Sequence, residues 1–212
     1  GFEEKNNELY YQDIRLMDLT EQYQSPLKYS YLPKISSQIQ NAKAWFQNAI
    51  AKNNYPGSYT YCYCTKSSHF KFVMDEALKN DIHIETSSGI DIDIIRQLYK
   101  ENKISKDTFL LHNGFKTNDY IDKIDGLVSD GFKNVICILD NKEELQQLKN
   151  TKNGAYNIGL RMATNEDPNF VLYNSRLGIR YNDVISFYNE QLKGNPAFKV
   201  KMLHFFINTG IK

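Results

Sequence analysis

Residues 134–139 read Asn-Val-Ile-Cys-Ile-Leu, an apolar run closed at once by Asp140. A half-exposed strand alternates apolar and polar positions. An unbroken run this short, rich in β-branched residues, is the pattern of a strand covered on both faces. Residues 108–112, Thr-Phe-Leu-Leu-His, repeat it. Working outward, similar runs stand at 59–65 (YTYCYCT), 82–86 (IHIET), 156–163 (YNIGLRMA) and 199–206 (KVKMLHFF). Amphipathic helical stretches lie between most of them, at roughly 69–80, 90–102, 117–130, 141–149 and 181–193. Strand and helix alternating through short connections predict βαβ units around a parallel sheet, hence an α/β fold. Upstream, Pro33 opens a further helix with Ile35, Ile39, Ala42, Phe46 and Ile50 on one stripe, and Pro56-Gly57 ends it. The first thirty residues are polar and aromatic without a clear period, and predict only a short extended piece around Pro26-Leu27-Lys28-Tyr29. Residues 1–33 therefore read as an N-terminal extension and 34–212 as the fold proper.

Two parallel architectures compete, a doubly wound open sheet and a (β/α)8 barrel. The junction from Thr65 to Phe70 carries neither a G-x-G-x-x-G nor a P-loop, which weakens the nucleotide-binding open sheet. Six strands are counted, so a barrel would be incomplete.

At 212 residues with 41% hydrophobic content, the chain can build the core of one domain. Lys+Arg number 26 against 25 Asp+Glu, scattered rather than clustered, so charge gives no reason to expect nucleic acid or an acidic membrane as partner. No apolar run has membrane-spanning length and no signal-peptide pattern opens the chain; a soluble cytoplasmic protein is the expectation. The first residue is Gly1 rather than methionine, which is expected of either an appended remnant or a trimmed piece. Cys62, Cys64 and Cys137 make an odd count, against a disulfide framework. Cys62 and Cys64 would share one strand face, and with no further ligand pair at metal spacing they read as small buried hydrophobes, with no metal expected.

The polar residues associated with strands gather at their carboxyl ends. Lys66-Ser67-Ser68-His69 follows the first strand, and Glu85-Thr86-Ser87-Ser88 ends the second. His112-Asn113-Gly114 ends the third and Asp140 the fourth. Arg161 lies in the fifth, ahead of Thr164 and Asn165, and His204 in the last, ahead of Asn208-Thr209-Gly210. That edge is where parallel α/β folds build sites. Lys66 suits imine chemistry if partial burial frees its amine, with Glu85 and Arg161 holding polar groups of a cofactor. The plainer readings are a solvated lysine, a Glu85–Arg161 ion pair at the rim, and His69, His83 and His112 as surface or supporting residues. Spacing alone does not choose between them.

Seven stretches together resemble fold-type III pyridoxal-phosphate-dependent decarboxylases, the group that includes ornithine, diaminopimelate and biosynthetic arginine decarboxylases, and arginine decarboxylase most. Tyr-Cys-Thr-Lys at 63–66 is similar to the family's Tyr-x-x-Lys, and IETSSGIDIDII at 84–95 to its strand-end acidic residue and Ser-containing helix start. LLHNGFKTNDYID at 110–122 resembles the Asn-Gly-Tyr-Lys segment. IGLRMAT (158–164), NSRLGIRYNDVISFY (174–188) and LHFFINTG (203–210) follow in family order, and QYQSPLKYSY (22–31) precedes them.

The resemblance implies an alanine-racemase-like TIM-type barrel binding pyridoxal 5'-phosphate. Lys66 would be the catalytic residue that carries the cofactor, Glu85 would stand near its reactive carbon and Arg161 beside its ring. Phe206 would stack on the ring, and Thr209 would offer the phosphate a hydroxyl. It further implies a basic amino-acid substrate, polyamine biosynthesis, and a homodimer or higher homo-oligomer. The phosphate loop, the acidic partner of the pyridinium nitrogen and a C-terminal β-domain would lie outside this chain, which is expected to be an inactive amino-terminal part of such an enzyme. Three departures stand out. Phe206 replaces the stacking histidine, Asn208-Thr209 replaces Gly-Ser, and Ser68 replaces an asparagine. They leave room for a non-catalytic homologue that binds a partner; a small pyridoxal-phosphate-carrier barrel fits the length better and the motifs less well.

Overall fold

The computed structural model describes residues 1–163 and 177–206. Its main sheet is built from β4 (Cys62–Cys64), β5 (His83–Thr86), β6 (Leu110–His112), β7 (Val135–Leu139), β8 (Tyr156–Ala163) and β10 (Phe198–His204), with β1–β3 before it in the chain and a short β9 between β8 and β10. All five ladders joining these six strands are parallel, and the spatial order β4-β5-β6-β7-β8-β10 follows the chain. A doubly wound sheet reverses its order at a switch point; this one does not. The open-sheet alternative is thereby excluded, and the sheet is an incomplete (β/α) barrel with six consecutive strands among the described residues. β9 (Ile179–Arg180) adds a short parallel ladder to the end of β8.

Helices cross between successive strands: α3 (Lys71–Leu78), α4 (Gly89–Lys100), α5 (Asn118–Ser129), α6 (Glu144–Lys149) and α7 (Tyr181–Phe187), which runs on as a π-helical turn through Leu192. Ser88 starts α4 by accepting from the Asp91 backbone N–H at 3.3 Å, and Asp91 accepts in return from the Ser87 N–H at 2.8 Å. Thr117 caps α5 in the same way through Tyr120 N–H.

The two faces of the sheet separate cleanly. The outer face carries Tyr63, Ile84, Leu110, Val135, Cys137, Leu139, Ile158 and Leu160, buried beneath the helices in one continuous core. The inner face carries a smaller apolar layer of Leu111, Ile136 and Ile138 with Cys62 and Met202 packed on it. Toward the amino ends of the strands this face lines a cavity of about 590 Å³ walled by Cys62, Leu111, Ile136 and Met202, with Asn134, Asn157 and Lys201 among its polar wall residues.

The extension is more ordered than its composition predicts. β1 (Phe2–Lys5), β2 (Glu8–Tyr11) and β3 (Ile14–Arg15) form an antiparallel sheet, followed by α1 (Leu16–Tyr23). Its turns, Asn6-Asn7 and Gln12-Asp13, both hold two consecutive residues at positive φ, the twist-matched geometry of tight hairpins that Asn and Asp tolerate. Strands of two to four residues are too short to display a period. The helix α2 (Pro33–Lys52) packs on α3, where Ser36 and Gln40 bind Asn80 at 2.9 Å each.

His112, expected at the surface or as a supporting residue, is wholly buried beneath α5. Its Nδ1 lies 2.7 Å from Thr86 Oγ1, which in turn lies 2.7 Å from the Tyr120 hydroxyl. Desolvation, with the charge of Lys116 adding to it, pushes its pKa down to about 3. The unfolded imidazole titrates near 6.5, so below that pH the unfolded chain binds the extra proton and the folded chain does not. This contribution to stability is complete above pH 6.5 and is lost as the pH falls toward 3. At pH 4.5 the loss is two pH units at about 1.36 kcal/mol each, on the order of 2–3 kcal/mol. His112→Asn keeps a partner for Thr86 but cannot titrate. Urea unfolding at pH 7 and pH 4.5 is expected to show a smaller drop for this variant than for wild type.

Candidate functional site

In a strand, alternate residues share a face, so the inner-face parity that runs through Cys62, Leu111, Ile136 and Gly159 continues to the carboxyl ends as Cys64, Glu85, Asn113, Asp140 and Arg161. His204 joins them from β10, paired in register with Arg161. The site residues thus sit at the opposite end of the strands from the 590 Å³ cavity.

Asn113 is the hub of one arm. Its Oδ1 accepts from the Gly114 N–H at 2.8 Å, which fixes the amide so that Nδ2 donates to Glu85 Oε1 at 3.0 Å. The same Nδ2 lies 3.5 Å from His204 Nε2. Nδ2 can only donate, so this contact is a hydrogen bond in the His204 tautomer that carries its proton on Nδ1. Gly114 sits at φ +84°, where a Cβ would also approach Ser87 O to 3.3 Å. Glycine therefore satisfies both the turn and the close passage of the chain.

Arg161 and Asp140 form the other arm. Arg161 Nη1 donates to Asp140 Oδ1 at 2.9 Å, with the side chains 11% and 2% exposed. The expected alternative of a Glu85–Arg161 ion pair is replaced by this one, since Asp140 ends the neighbouring strand while Glu85 is held by Asn113. Two buried atoms at this edge, His204 Nδ1 and Asp140 Oδ2, have no hydrogen-bond partner among the described residues. Orphan polar atoms in buried positions call for a polar ligand or water.

Lys66 follows β4 in the turn at Thr65–Ser67 and is exposed. The partial burial expected to free its amine is absent: Thr65 is still buried and its N–H bonded to Glu85 O at 2.9 Å, and the chain turns outward at Lys66. Tyr63 braces the turn: its hydroxyl donates to Ser68 O at 2.8 Å and accepts from Ser67 Oγ at 3.3 Å. Phe206 lies just past β10 and is 56% exposed. Thr209, Asn208, Thr164 and Asn165 lie outside the described residues.

Cys62 and Cys64 do share the inner face, half-buried. Burial pushes the Cys62 thiol up to about 11, and burial together with the Glu85 charge raises that of Cys64, whose Sγ is 3.8 Å from Glu85 Oε1. Both are neutral thiols at neutral pH and weak nucleophiles. Among the described residues no group of three or more His, Cys, Asp or Glu is placed to hold a metal ion, and no helix is long and apolar enough to cross a membrane.

Two residues unremarked by their spacing support the edge from below. Lys116 and Glu144 are 0% and 2% exposed and meet at 3.1 Å. The only hint in the sequence is that Lys116 stands within the Asn113–Lys116 segment.

His204 links the arms electrostatically. Desolvation lowers its pKa below 6.5, the Glu85 charge raises it and the Arg161 charge lowers it. Ring titration by NMR is expected to give a value below 6.5, further depressed in Glu85→Gln and raised in Arg161→Met. Insensitivity to both substitutions would show that these side chains do not share a site.

No protein-family model matches this sequence, and no curated protein does. Solved structures do. The biosynthetic arginine decarboxylase of Campylobacter jejuni aligns with a TM-score of 0.64 at 20% identity, over 96% of this chain and 35% of its own. The diaminopimelate decarboxylase of M. jannaschii, in complex with L-lysine, aligns with a TM-score of 0.74 at 16% identity, over 97% of this chain and 47% of its own. A second structure of that enzyme gives 0.74 and 16% again. The chain therefore spans less than half the length of these structures. Its fold is that of the barrel in these amino-acid decarboxylases, with six strands among the described residues.

Proposed function

We propose that this chain forms part of the site of a pyridoxal-phosphate-dependent decarboxylase of a basic amino acid, of the arginine decarboxylase type. One observation carries the reading: a primary amine, a carboxylate and a guanidinium, Lys66, Glu85 and Arg161, come from three strands to one carboxyl edge of a barrel shared with two amino-acid decarboxylases. The donor set suits a polar, aldehyde-bearing aromatic ring, and the orphan His204 Nδ1 and Asp140 Oδ2 are groups such a ligand could satisfy.

When bound, pyridoxal phosphate supplies the electron sink for breaking the bond between an amino acid's α-carbon and its carboxylate. The residues of this chain anchor and orient. The Lys66 amine is accessible for covalent attachment to an aldehyde. Glu85, pinned by Asn113, places negative charge at a fixed point of the edge. Arg161 donates one N–H to Asp140, and a guanidinium has five such donors in a fixed fork. In the tautomer that accepts from Asn113, His204 offers its Nδ1–H as a donor. Holding a ring in one orientation is the protein's main contribution to selective bond cleavage. The same reading takes the chain to act within a homo-oligomer. A non-catalytic, partner-binding homologue is the second reading, favoured by Phe206, which can stack but neither donates a hydrogen bond nor carries charge.

Incubation with pyridoxal phosphate, borohydride reduction and peptide mapping is expected to find the pyridoxyl group on Lys66, and to lose it in Lys66→Met. Labelling spread evenly over exposed lysines, with Lys66 not preferred, would leave the partner-binding reading in place.

A further inference from the structure

The Lys116–Glu144 pair lies just beneath the edge and touches no candidate ligand group, yet its hydrogen bonds run to both arms. Lys116 Nζ donates to Gly114 O at 3.0 Å, to Ile138 O at the end of β7, and to Glu144 Oε2 at 3.1 Å. Glu144 Oε1 accepts from the Lys116 N–H at 3.2 Å, and Oε2 accepts from the Asp140 N–H at 2.9 Å. On one side the pair holds the carbonyl of Gly114; the N–H of the same residue, one peptide group earlier, fixes the Asn113 amide, which in turn binds Glu85 and approaches His204. On the other it holds the backbone of Asp140, whose carboxylate binds Arg161.

We propose that Lys116 and Glu144 are positioning residues: one buried ion pair sets the register between the Asn113–Glu85–His204 arm and the Asp140–Arg161 arm. A core requirement alone would be met by apolar side chains of similar size. What those could not do is bind two backbone carbonyls and two backbone N–H groups at once. The inference deepens the proposed function and rests on it for the ligand, but the geometry it concerns exists without one.

The test is the double variant Lys116→Met/Glu144→Leu. Removing both charges together leaves no unpaired buried ion, so the fold is expected to survive with a thermal midpoint above that of either single variant, lowered from wild type only by the backbone groups the pair no longer binds. Positioning is expected to be lost. The NMR signals of the Asn113 side-chain amide and the Arg161 guanidinium should move toward solvent-exposed values. Exchange of the Gly114 amide should speed up about tenfold or more, while Ile84 and Ile158 in the strands stay protected. Affinity for pyridoxal phosphate should fall about tenfold, with Lys66 still the labelled residue at saturation. Should the double variant not fold, Glu144→Asp, which keeps the charge and shortens the reach, is measured in the same way with the same expectation. A folded variant with unchanged Asn113, Gly114 and Arg161 signals overturns the proposal, whatever the cofactor does. Absence of Lys66 labelling in wild type, with the signals shifted in the variant, would reject the cofactor reading and leave the positioning role standing.

Discussion

A lysine with no exposed surface, held by a glutamate 28 residues further along the chain, is the constraint on which the carboxyl edge of this barrel depends. Loops that follow parallel strands carry backbone groups that no ladder satisfies, and burying them unpaired costs on the order of 1–3 kcal/mol each. Here Gly114 O, Ile138 O, Lys116 N–H and Asp140 N–H all end on one ion pair. Removing a single partner of such a pair costs about 3–5 kcal/mol, because the other charge is stranded in the interior. Folding and the geometry of the edge are thus coupled through the same two side chains.

The sheet divides its labour by parity. Residues of the outer face are mostly apolar and meet helices, and they supply the bulk of the buried surface. Inner-face residues change character along each strand, from Cys62, Leu111 and Ile136 to Glu85, Asn113, Asp140 and Arg161 at the carboxyl ends. Stability and chemistry therefore occupy different faces of the same strands, and a polar substitution can be tolerated at the edge that would not be tolerated one residue away. His112 marks the boundary. One position before Asn113 and on the opposite face, it is buried so completely that it stays neutral.

Much of this was legible in the amino-acid sequence. The run Val135–Leu139 identified a doubly covered strand, and its repetition located all six strands of the barrel to within a few residues. The strand order that separates a barrel from an open sheet was not legible, because periodicity reports faces and not neighbours. Lys66, Glu85 and Arg161 were visible as polar residues closing or following apolar runs. Their partners were not: that Arg161 binds Asp140 rather than Glu85 depends on which strands adjoin, and the exposure of Lys66 on a turn that leaves the sheet early. Lys116 and Glu144 were the least legible, since a lysine and a glutamate in loop and helix read as solvated until the fold brings them together. The sheet of β1–β3 was hidden by the shortness of its strands, although Asn6-Asn7 and Gln12-Asp13 were turn signals in plain view.

The most direct measurement is a double-mutant cycle on the buried pair, with wild type, Lys116→Met, Glu144→Leu and the double variant unfolded in urea at pH 7. If the pair is the joint of the edge, each single substitution costs about 3–5 kcal/mol and the double costs far less than their sum, a coupling of more than about 2 kcal/mol. Costs that add to within about 0.5 kcal/mol would mean the two residues stabilise the fold independently, and the edge would have to be held by something else.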